Sequence, residues 1–415
     1  MLRQSLLVLV ASLAGNIASF GYHAVVSRKL GVSDYGSLYA LISFASVLTL
    51  PVAFVPTVIV RYAAEFHAKH DGAHMRALVQ FVVRWFGGIG IAYVVLVSAL
   101  SIPIAHYLRV APWAIPICAL ISGVVILGTA LRAILQGDSD FGAYSLATVF
   151  EGFGKLIGGA VFAIAGFGFI GALVGFLAGT ASAALVAIVR LRKRIAGLTY
   201  APLVIDWLRV IQTSGGAIAV TIATMVLTSA DIVLVKHFLS AHEAGIYSAA
   251  SLGGKILLFA VGFASAIILP KATLGHQRGE RTWHVLFGSL AMLAVVSSVG
   301  LLVFHFGGGL LLRALVGRAF DGALPLLTIY GFAMTLLAGT GVLASYAIAV
   351  HRLSFAIPML VGAVLEIPAI ILFHPNAAAV VWVVVASNAL CLVLTALGLT
   401  YDGLRANAMR RRSTD

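Results

Sequence analysis

Long uninterrupted apolar runs are the feature of this sequence that most restricts how the chain can fold. The runs IGIAYVVLVSAL at 89–100 and AVVWVVVASNALCLVLTALGL at 379–399 contain no charged residue. A helix needs about 20 predominantly apolar residues to cross the hydrocarbon core of a bilayer, whereas the strands of a membrane barrel alternate apolar and polar residues. The sequence therefore predicts an all-α polytopic membrane protein.

The composition supports this prediction over the whole length of the chain. Of the 415 residues, 61% are hydrophobic and only 10% are charged, which leaves too few polar groups to cover a water-soluble surface. Apolar runs between charged or turn-rich breaks predict about 12 transmembrane helices. The predicted spans lie near 5–26, 35–62, 77–101, 113–135, 141–166, 168–190, 210–234, 243–270, 283–306, 323–349, 353–373 and 377–401.

Lysine and arginine are concentrated on one side of these predicted spans. Of the 27 basic residues, 19 fall on the side that holds both termini and the connection between the sixth and seventh spans, and 6 fall on the other side. An excess of positive charge marks the cytoplasmic side, so both termini are expected in the cytoplasm. The net charge of +13 is a topology signal of this kind, and no nucleic-acid partner is expected.

Two segments at corresponding points of the chain indicate an internal repeat. SRKLGVSDYGSLYAL at 27–41 and VKHFLSAHEAGIYSAASL at 235–252 share a cation, an apolar residue, an acid, a glycine and a tyrosine. Each segment leaves a first long span, turns on the outer side and begins a second span. The spacing of about 209 residues predicts two halves of six helices each, an arrangement typical of alternating-access transporters.

The repeat also sets the predicted domain boundaries. The basic start of the central connection and the stretch PLVIDWLRVIQ predict an amphipathic helix on the inner membrane surface. The predicted domains are an N-terminal six-helix lobe at 1–190, a cytoplasmic amphipathic connection at 191–209, a C-terminal six-helix lobe at 210–402 and a basic cytoplasmic tail at 403–415.

Together with the run DIVLVKHFLSAHEAGIYSAASL and the apolar passage that ends at Pro270, the repeat segments resemble a known transporter family. This is the polysaccharide transporter, or oligosaccharide flippase (Wzx-like), family of the MOP flippase superfamily, which also contains the MATE exporters and the lipid II flippases. The resemblance implies a MATE-like fold of two pseudo-symmetric six-helix lobes. It also implies alternating-access transport of a polyprenyl-diphosphate-linked oligosaccharide to the outer leaflet of a prokaryotic cytoplasmic (inner) membrane.

The same resemblance implies the partners of the chain. They are the lipid-linked oligosaccharide, membrane lipids and the enzymes of envelope polysaccharide assembly. The chain itself is expected to be a monomer, because two halves already complete one transport pathway.

Ionisable residues near the middle of a span are candidates for function, because burying a charge in the bilayer is costly. Lys155 and Lys255, one from each predicted half, are expected to present cations to the diphosphate headgroup in a central cavity, with Glu151 beside Lys155. The alternative is that Glu151 and Lys155, four residues apart, form a self-contained pair that only lowers the cost of burial.

Two further acids are candidates for ion coupling. Glu366 near mid-span and Asp231 near the outer end of the seventh span could carry a proton or a sodium ion, and the alternative for each is pairing with a cation on a neighbouring helix. Arg28, Arg61 and Arg132 lie toward span ends. They could form a gate or a headgroup-access site, or they could only anchor the helices at the interface.

Other function classes are disfavoured by what the sequence does not contain. It has no GxxxxGK[ST] phosphate loop and no HExxH or GxSxG pattern, so no enzymatic activity and no cofactor are expected. The histidines of HAKHDGAH at 67–74 could suggest a metal site, but a hydrated loop explains them equally and no metal is expected. The competing function is a MATE-like proton- or sodium-coupled exporter of small amphiphilic compounds, and the sign of the cavity charge distinguishes the two.

Overall fold

The computed structural model describes residues 2–203, 205–277 and 282–412, and within these ranges it contains α-helices, two short 3-10 turns and no β-strand. The prediction of an all-α protein is therefore confirmed for the described residues. The helices of the N-terminal half are α1 (Leu2–Leu48), α2 (Val55–Ala68), α3 (Gly72–Ala99), α4 (Ser101–Leu108), α5 (Ala114–Gly137), α6 (Phe141–Ile164) and α7 (Gly168–Ile195). Those of the C-terminal half are α8 (Trp207–Phe238), α9 (Ala241–Gln277), α10 (Trp283–Leu315), α11 (Leu324–Ala349), α12 (Ala356–Leu372) and α13 (Ala377–Arg412).

The helices have the length and composition of membrane spans. In the described ranges, nine helices are long and apolar enough to cross a bilayer, and α12 is a shorter apolar helix. The prediction of a polytopic membrane protein is confirmed. The count is lower than the twelve predicted spans partly because α1 contains both the first predicted span and the beginning of the second, and is counted once.

The chain divides into two compact units. Unit 1 comprises Met1–Val210 with Leu315–Ala319, and unit 2 comprises Ile211–Ala314 with Phe320–Asp415. The division of the main chain thus falls between Val210 and Ile211. Helix α13 continues to Arg412, so the residues predicted as a basic tail begin inside a helix.

A single glycine changes the direction of α1. Gly31 has a φ of 74° and a ψ of 179°, a backbone region open to glycine almost alone. The sequence predicts a turn of several residues between the first two spans, but the helix resumes directly after this residue. Two helical segments therefore meet at a kink at Gly31, in the region where the sequence predicts that the chain turns between its first two spans.

The second predicted span is divided by prolines. The helix α1 ends at Leu48, a 3-10 turn covers Leu50–Val52, and α2 begins at Val55. Pro51 and Pro56 lie at the beginning of the turn and of α2, where a residue without an N–H donor is tolerated. The span therefore consists of two helices joined by a short turn.

The central connection is helical at its two ends and not between them. Helix α7 continues to Ile195 and α8 begins at Trp207, while residues 196–203, 205 and 206 are not α-helical. Gly197 has a φ of 76° and ends the helical path, and Pro202 supplies no donor for a new one. The basic residues predicted for this connection instead extend the last turns of α7.

Unit 1 has an apolar core between α2, α3, α5 and α7. Its buried members include Ile59, Leu78, Ile134 and Leu191. Asp138, which follows α5, accepts a hydrogen bond from Nδ1 of His67 at 2.8 Å and one from Nε of Arg194 at 2.9 Å. This carboxylate joins the ends of α2 and α7 to the turn between α5 and α6.

Two histidines near the α2–α3 connection, His67 and His74, each contact one carboxylate. Asp71 caps α3 by accepting a hydrogen bond from the backbone N–H of His74 at 3.0 Å, and this bond holds the pKa of Asp71 below its ordinary value. Nδ1 of His74 lies 2.7 Å from the second oxygen of Asp71. Among the described residues, no group of three or more histidine, cysteine, aspartate or glutamate side chains could hold a metal ion.

Helix α6 packs closely on α1 and α7 through glycines. A Cβ atom at Gly152 would lie 2.4 Å from the carbonyl oxygen of Gly15, and one at Gly175 would lie 2.3 Å from the backbone nitrogen of Gly159. Such approaches are possible only where both helices present small residues. In unit 2, α11 carries many buried residues, among them Tyr330, and α9 and α13 pack against it.

Candidate functional site

Three charged side chains meet inside unit 1. Glu151 of α6 accepts hydrogen bonds from Nζ of Lys155, at 2.7 Å, and from the guanidinium of Arg132 on α5. The three side chains are between 11% and 21% exposed. We refer to Arg132, Glu151 and Lys155 as the cationic triad, because two cations share one carboxylate and one positive charge remains.

The triad lies well inside the membrane-spanning part of α6. Glu151 follows Phe141, the first residue of the helix, by ten residues, or about 15 Å at 1.5 Å per residue. The amine of Lys155 also lies 4.2 Å from the centre of the Phe176 ring of α7, a favourable cation–π distance. The lysine is thus held by a carboxylate on one side and an aromatic face on the other.

Gly179 of α7 makes room for this arrangement. A Cβ atom there would lie 2.4 Å from both Cγ and the backbone nitrogen of Lys155, closer than real Cβ contacts allow. The lysine stem therefore occupies the space that any larger residue would fill. The sequence places Glu151 and Lys155 on one helix face, and the glycine on the neighbouring helix lets that face lie buried.

The arrangement differs from two of the predictions. The pair of Glu151 and Lys155 exists but is not self-contained, since Arg132 completes it. Arg132, predicted as a gate or anchoring residue, is in the structure the second cation of the triad. Sequence spacing could not reveal this contact, because it joins two helices across 19 residues of chain.

In unit 2, two acids are fully buried. Asp231 of α8 accepts hydrogen bonds at Oδ2 from the hydroxyl of Tyr247, at 2.6 Å, and from that of Tyr330, at 2.7 Å. The hydroxyl of Ser251 donates in turn to the Tyr330 oxygen at 3.0 Å. The second carboxylate oxygen, Oδ1, has no hydrogen-bond partner among the described residues.

Glu366 of α12 is the second buried acid. Its side chain is 0% exposed, and within the described ranges neither of its oxygens accepts a hydrogen bond. It lies close enough to Asp231 for the two charges to interact. We refer to Asp231 and Glu366 as the acidic pair, a site whose described partners are hydroxyl groups.

The two units place carboxylates at matching helix positions. Glu151 lies eleven residues after Asp140, the N-cap of α6, and Glu366 lies eleven residues after Phe355, the N-cap of α12. The first accepts hydrogen bonds from two cations, whereas the second accepts none from a described residue. Carboxylates at the same helical position therefore have different hydrogen-bond partners in the two units.

A second match involves the first helix of each unit. Asp231 precedes its partner Tyr247 by 16 residues. His23 likewise precedes Tyr39 by 16 residues, and their ring centres are 5.4 Å apart. Nδ1 of His23 is also 3.1 Å from the hydroxyl of Tyr35. A titratable residue thus contacts a tyrosine at corresponding points of both repeats.

The remaining predicted site residues differ in their exposure. Lys255 is half-buried on α9 in unit 2, and Arg61 is exposed on α2 in unit 1. Arg28 is exposed on α1, and its guanidinium donates to the carbonyl of Ala24 one turn earlier.

Sequence reasoning missed the tyrosines that hold Asp231. Tyr247 belongs to the repeat segment, so its recurrence near a buried acid was a usable signal. Tyr330 lies in the apolar run LTIYGFAM, where nothing distinguishes it from a core residue. Phe176 on α7 likewise cannot be distinguished from a core residue by its sequence context.

Neither a search of protein-family models nor a search of curated proteins finds a match to this chain. Solved structures match over almost its whole length. An inward-facing multidrug resistance MATE family transporter of the MOP superfamily is similar at a TM-score of 0.67 and 11% identity, with 98% of this chain and 95% of that chain covered. The lipid II flippase MurJ, in an inward closed conformation, is similar at 0.71 and 14%, with coverage of 99% and 91%.

A third similar structure is a MOP superfamily transporter from Pyrococcus furiosus, whose binding pocket is described as having reverse polarity. Its TM-score is 0.57 and its identity 13%, with 99% of this chain and 96% of that chain covered. At these identities the similarity shows a shared fold. The chain therefore has the multi-pass helical fold of these membrane transporters.

Proposed function

We propose that this chain is a flippase that moves a polyprenyl-diphosphate-linked oligosaccharide from the inner to the outer leaflet by alternating access. The observation that carries the proposal is the remaining positive charge of the cationic triad within the membrane-spanning part of unit 1. A diphosphate headgroup is an anion, and lysine binds phosphate as a point charge. In a partly desolvated site this attraction is stronger than in water.

Within this proposal the triad receives the headgroup. Lys155 supplies the charge that remains after Arg132 and Glu151 neutralise each other. Lys255 on α9 is proposed as a second cation for the substrate, and Arg28 and Arg61 as gate or headgroup-access residues. The fold supports the proposal because the solved structures that it resembles include both a lipid flippase and drug transporters.

The acidic pair is proposed to couple transport to a gradient of H⁺ or Na⁺. Two carboxylates buried close together are costly to keep ionised at the same time, so such a site favours a bound proton or cation. The hydroxyls of Tyr247 and Tyr330 orient Asp231, while Glu366 retains free oxygens within the described ranges. Binding and release of the ion would then depend on the state of unit 2.

The proposed setting is the cytoplasmic membrane of a prokaryote, with both termini in the cytoplasm. The chain would act as a monomer and as a transporter without enzymatic activity, beside the enzymes of envelope polysaccharide assembly. The concentration of basic residues on one predicted side supports this orientation.

The second candidate function is a MATE-like exporter of small cationic compounds coupled to H⁺ or Na⁺. The acidic pair favours it, because carboxylates could bind a cationic substrate as well as a coupling ion. The triad disfavours it, since a positive site repels such a substrate. The two functions therefore predict transport of compounds of opposite charge.

A transport assay in proteoliposomes tests the proposal. We expect purified protein to accelerate movement of a fluorescent polyprenyl-diphosphate oligosaccharide between leaflets, relative to protein-free liposomes, and to leave the distribution of the cation ethidium unchanged. Ethidium transport without lipid movement would instead establish the exporter function.

The same liposomes test coupling. An imposed H⁺ or Na⁺ gradient is expected to change the rate for the wild type and not for Asp231→Asn. Glu65→Gln, which removes an exposed acid paired with Lys69, is the control and should respond like the wild type. Equal gradient responses of all three proteins would contradict the coupling role of the acidic pair.

A further inference from the structure

A groove of about 570 Å³ lies between α6 and α7 in unit 1, separate from the cationic triad. Leu146 from α6 and Leu185 and Val189 from α7 line it, and these side chains are 49%, 60% and 46% exposed. Exposed apolar residues on a membrane-spanning helix face hydrocarbon. The apolar side of the groove, formed by these three residues, can therefore accommodate an acyl chain.

One end of the groove is charged. Nε of Arg190 lies 2.5 Å from Oδ2 of Asp140, and the other oxygen of Asp140 caps α6 by accepting from the backbone N–H of Ala143 at 3.1 Å. Lys193 also lines this end, is exposed and has no ion pair among the described residues. Arg190, Asp140 and Lys193 together leave one positive charge.

Gly142 also lines the groove and, having no side chain, leaves space beside the backbone. A Cβ atom at Gly142 would have only the side-chain oxygen of Asp140 within 4 Å, at 3.7 Å. A side chain at this position would therefore begin in open space beside the groove. This position allows the groove to be filled while every charge is kept.

We propose that this groove binds one anionic phospholipid, with its phosphate beside Lys193 and Arg190 and an acyl chain along Leu146, Leu185 and Val189. The groove is cationic at the helix ends and apolar toward the membrane interior. A phospholipid has the same arrangement, with its charged headgroup at the membrane surface and its acyl chains in the interior. Basic pockets between transmembrane helices on the cytoplasmic side are suited to anionic headgroups. The proposal is independent of the transported substrate.

Native mass spectrometry of the full chain in detergent tests the site, with phosphatidylglycerol as probe and phosphatidylcholine as the zwitterionic control. We expect Lys193→Gln to weaken phosphatidylglycerol binding about fivefold, the effect of one lysine near a headgroup. Arg192→Gln is the matched control, since Arg192 is an exposed cation on the same turn that does not line the groove. It should change binding by less than about twofold.

Gly142→Leu provides a second test of the site, because a leucine there is expected to fill the groove while all charged residues are kept. It is expected to weaken binding of phosphatidylglycerol at least as much as Lys193→Gln, and phosphatidylcholine binding should be equal in all variants. Equal losses in Arg192→Gln and Lys193→Gln would show diffuse surface attraction and overturn the site. Full binding by Gly142→Leu, or displacement of the lipid by soluble glycerol phosphate, would overturn it as well.

Discussion

At the scale of single residues, the two carboxylates at matching positions of α6 and α12 have different partners. Glu151 is bound by Arg132 and Lys155, whereas Glu366 lies near Asp231 without a hydrogen bond in the described ranges. A carboxylate with cations is stable in its charged form, while one beside another acid favours a proton or a cation. The residues around each acid, more than the acid itself, therefore determine what each site can bind.

Removing the shared carboxylate should destabilise unit 1 more than removing one of its cations. Glu151→Gln leaves Arg132 and Lys155 close together without a counter-charge, which costs about 3 kcal/mol for a largely buried group. Lys155→Met leaves the pair of Arg132 and Glu151 intact, so it is expected to cost only about 1 kcal/mol, the net contribution of one hydrogen bond. Thermal unfolding in detergent measures both, and equal midpoints for the two variants would contradict the bridging role of Glu151.

The hydroxyl of Tyr330 should contribute to the stability of unit 2. Tyr330→Phe removes a donor to Asp231 and leaves the Ser251 hydroxyl without its acceptor, so a loss of about 1–3 kcal/mol is expected. Tyr200→Phe is the control, because Tyr200 is 63% exposed and should change stability little. If denaturation of the two variants in detergent coincided, the hydrogen bonds around Asp231 would have no energetic role.

At the scale of helices, glycines determine where α6 can lie. Gly152 allows contact with α1, and Gly175 and Gly179 allow contact with α7. The cationic triad depends on this packing because Lys155 lies directly against Gly179. Close helix contact and the buried charge are therefore parts of one arrangement.

A methyl group at Gly179 should disrupt this packing. Gly179→Ala would place Cβ 2.4 Å from the backbone nitrogen of Lys155 and 2.7 Å from the carbonyl oxygen of Glu151, and neither backbone atom can move without separating the helices. A large loss of folded protein is expected, read as the monodisperse fraction in size-exclusion chromatography. Gly87→Ala on α3, where Cβ would meet nothing within 4 Å, should fold normally and gain up to about 1 kcal/mol.

Apolar periodicity was sufficient to predict the helices but not their continuity or their lateral contacts. The spans near α5, α6 and α7 could be read directly from runs between charged breaks. The sharp kink of α1 at Gly31 could not, because the nearby glycine, serine and aspartate equally favour a longer turn. The pairing of Arg132 with Glu151 depends on how α5 and α6 pack, which a sequence pattern does not contain.

At the scale of the whole molecule, the distribution of basic residues predicts a defined orientation. A cysteine introduced as Tyr200→Cys is expected on the cytoplasmic side, and one introduced as Pro375→Cys, between α12 and α13, on the outer side. Both native positions are exposed, and the native cysteines Cys118 and Cys391 are buried. A membrane-impermeant maleimide should label only the second variant in intact cells and both after permeabilisation. Labelling of residue 200 in intact cells would reverse the orientation.

The central claim is that the positive charge of the triad receives an anionic headgroup during transport. The most direct measurement is the rate at which proteoliposomes move a fluorescent polyprenyl-diphosphate oligosaccharide, compared for wild type, Lys155→Arg, Lys155→Met and the exposed control Arg192→Gln. We predict that Lys155→Arg and Arg192→Gln keep most of the rate, whereas Lys155→Met falls at least about tenfold, as expected for a lost charge-assisted contact of about 1.4 kcal/mol or more. A folded Lys155→Met protein that transports at the wild-type rate would contradict the claim.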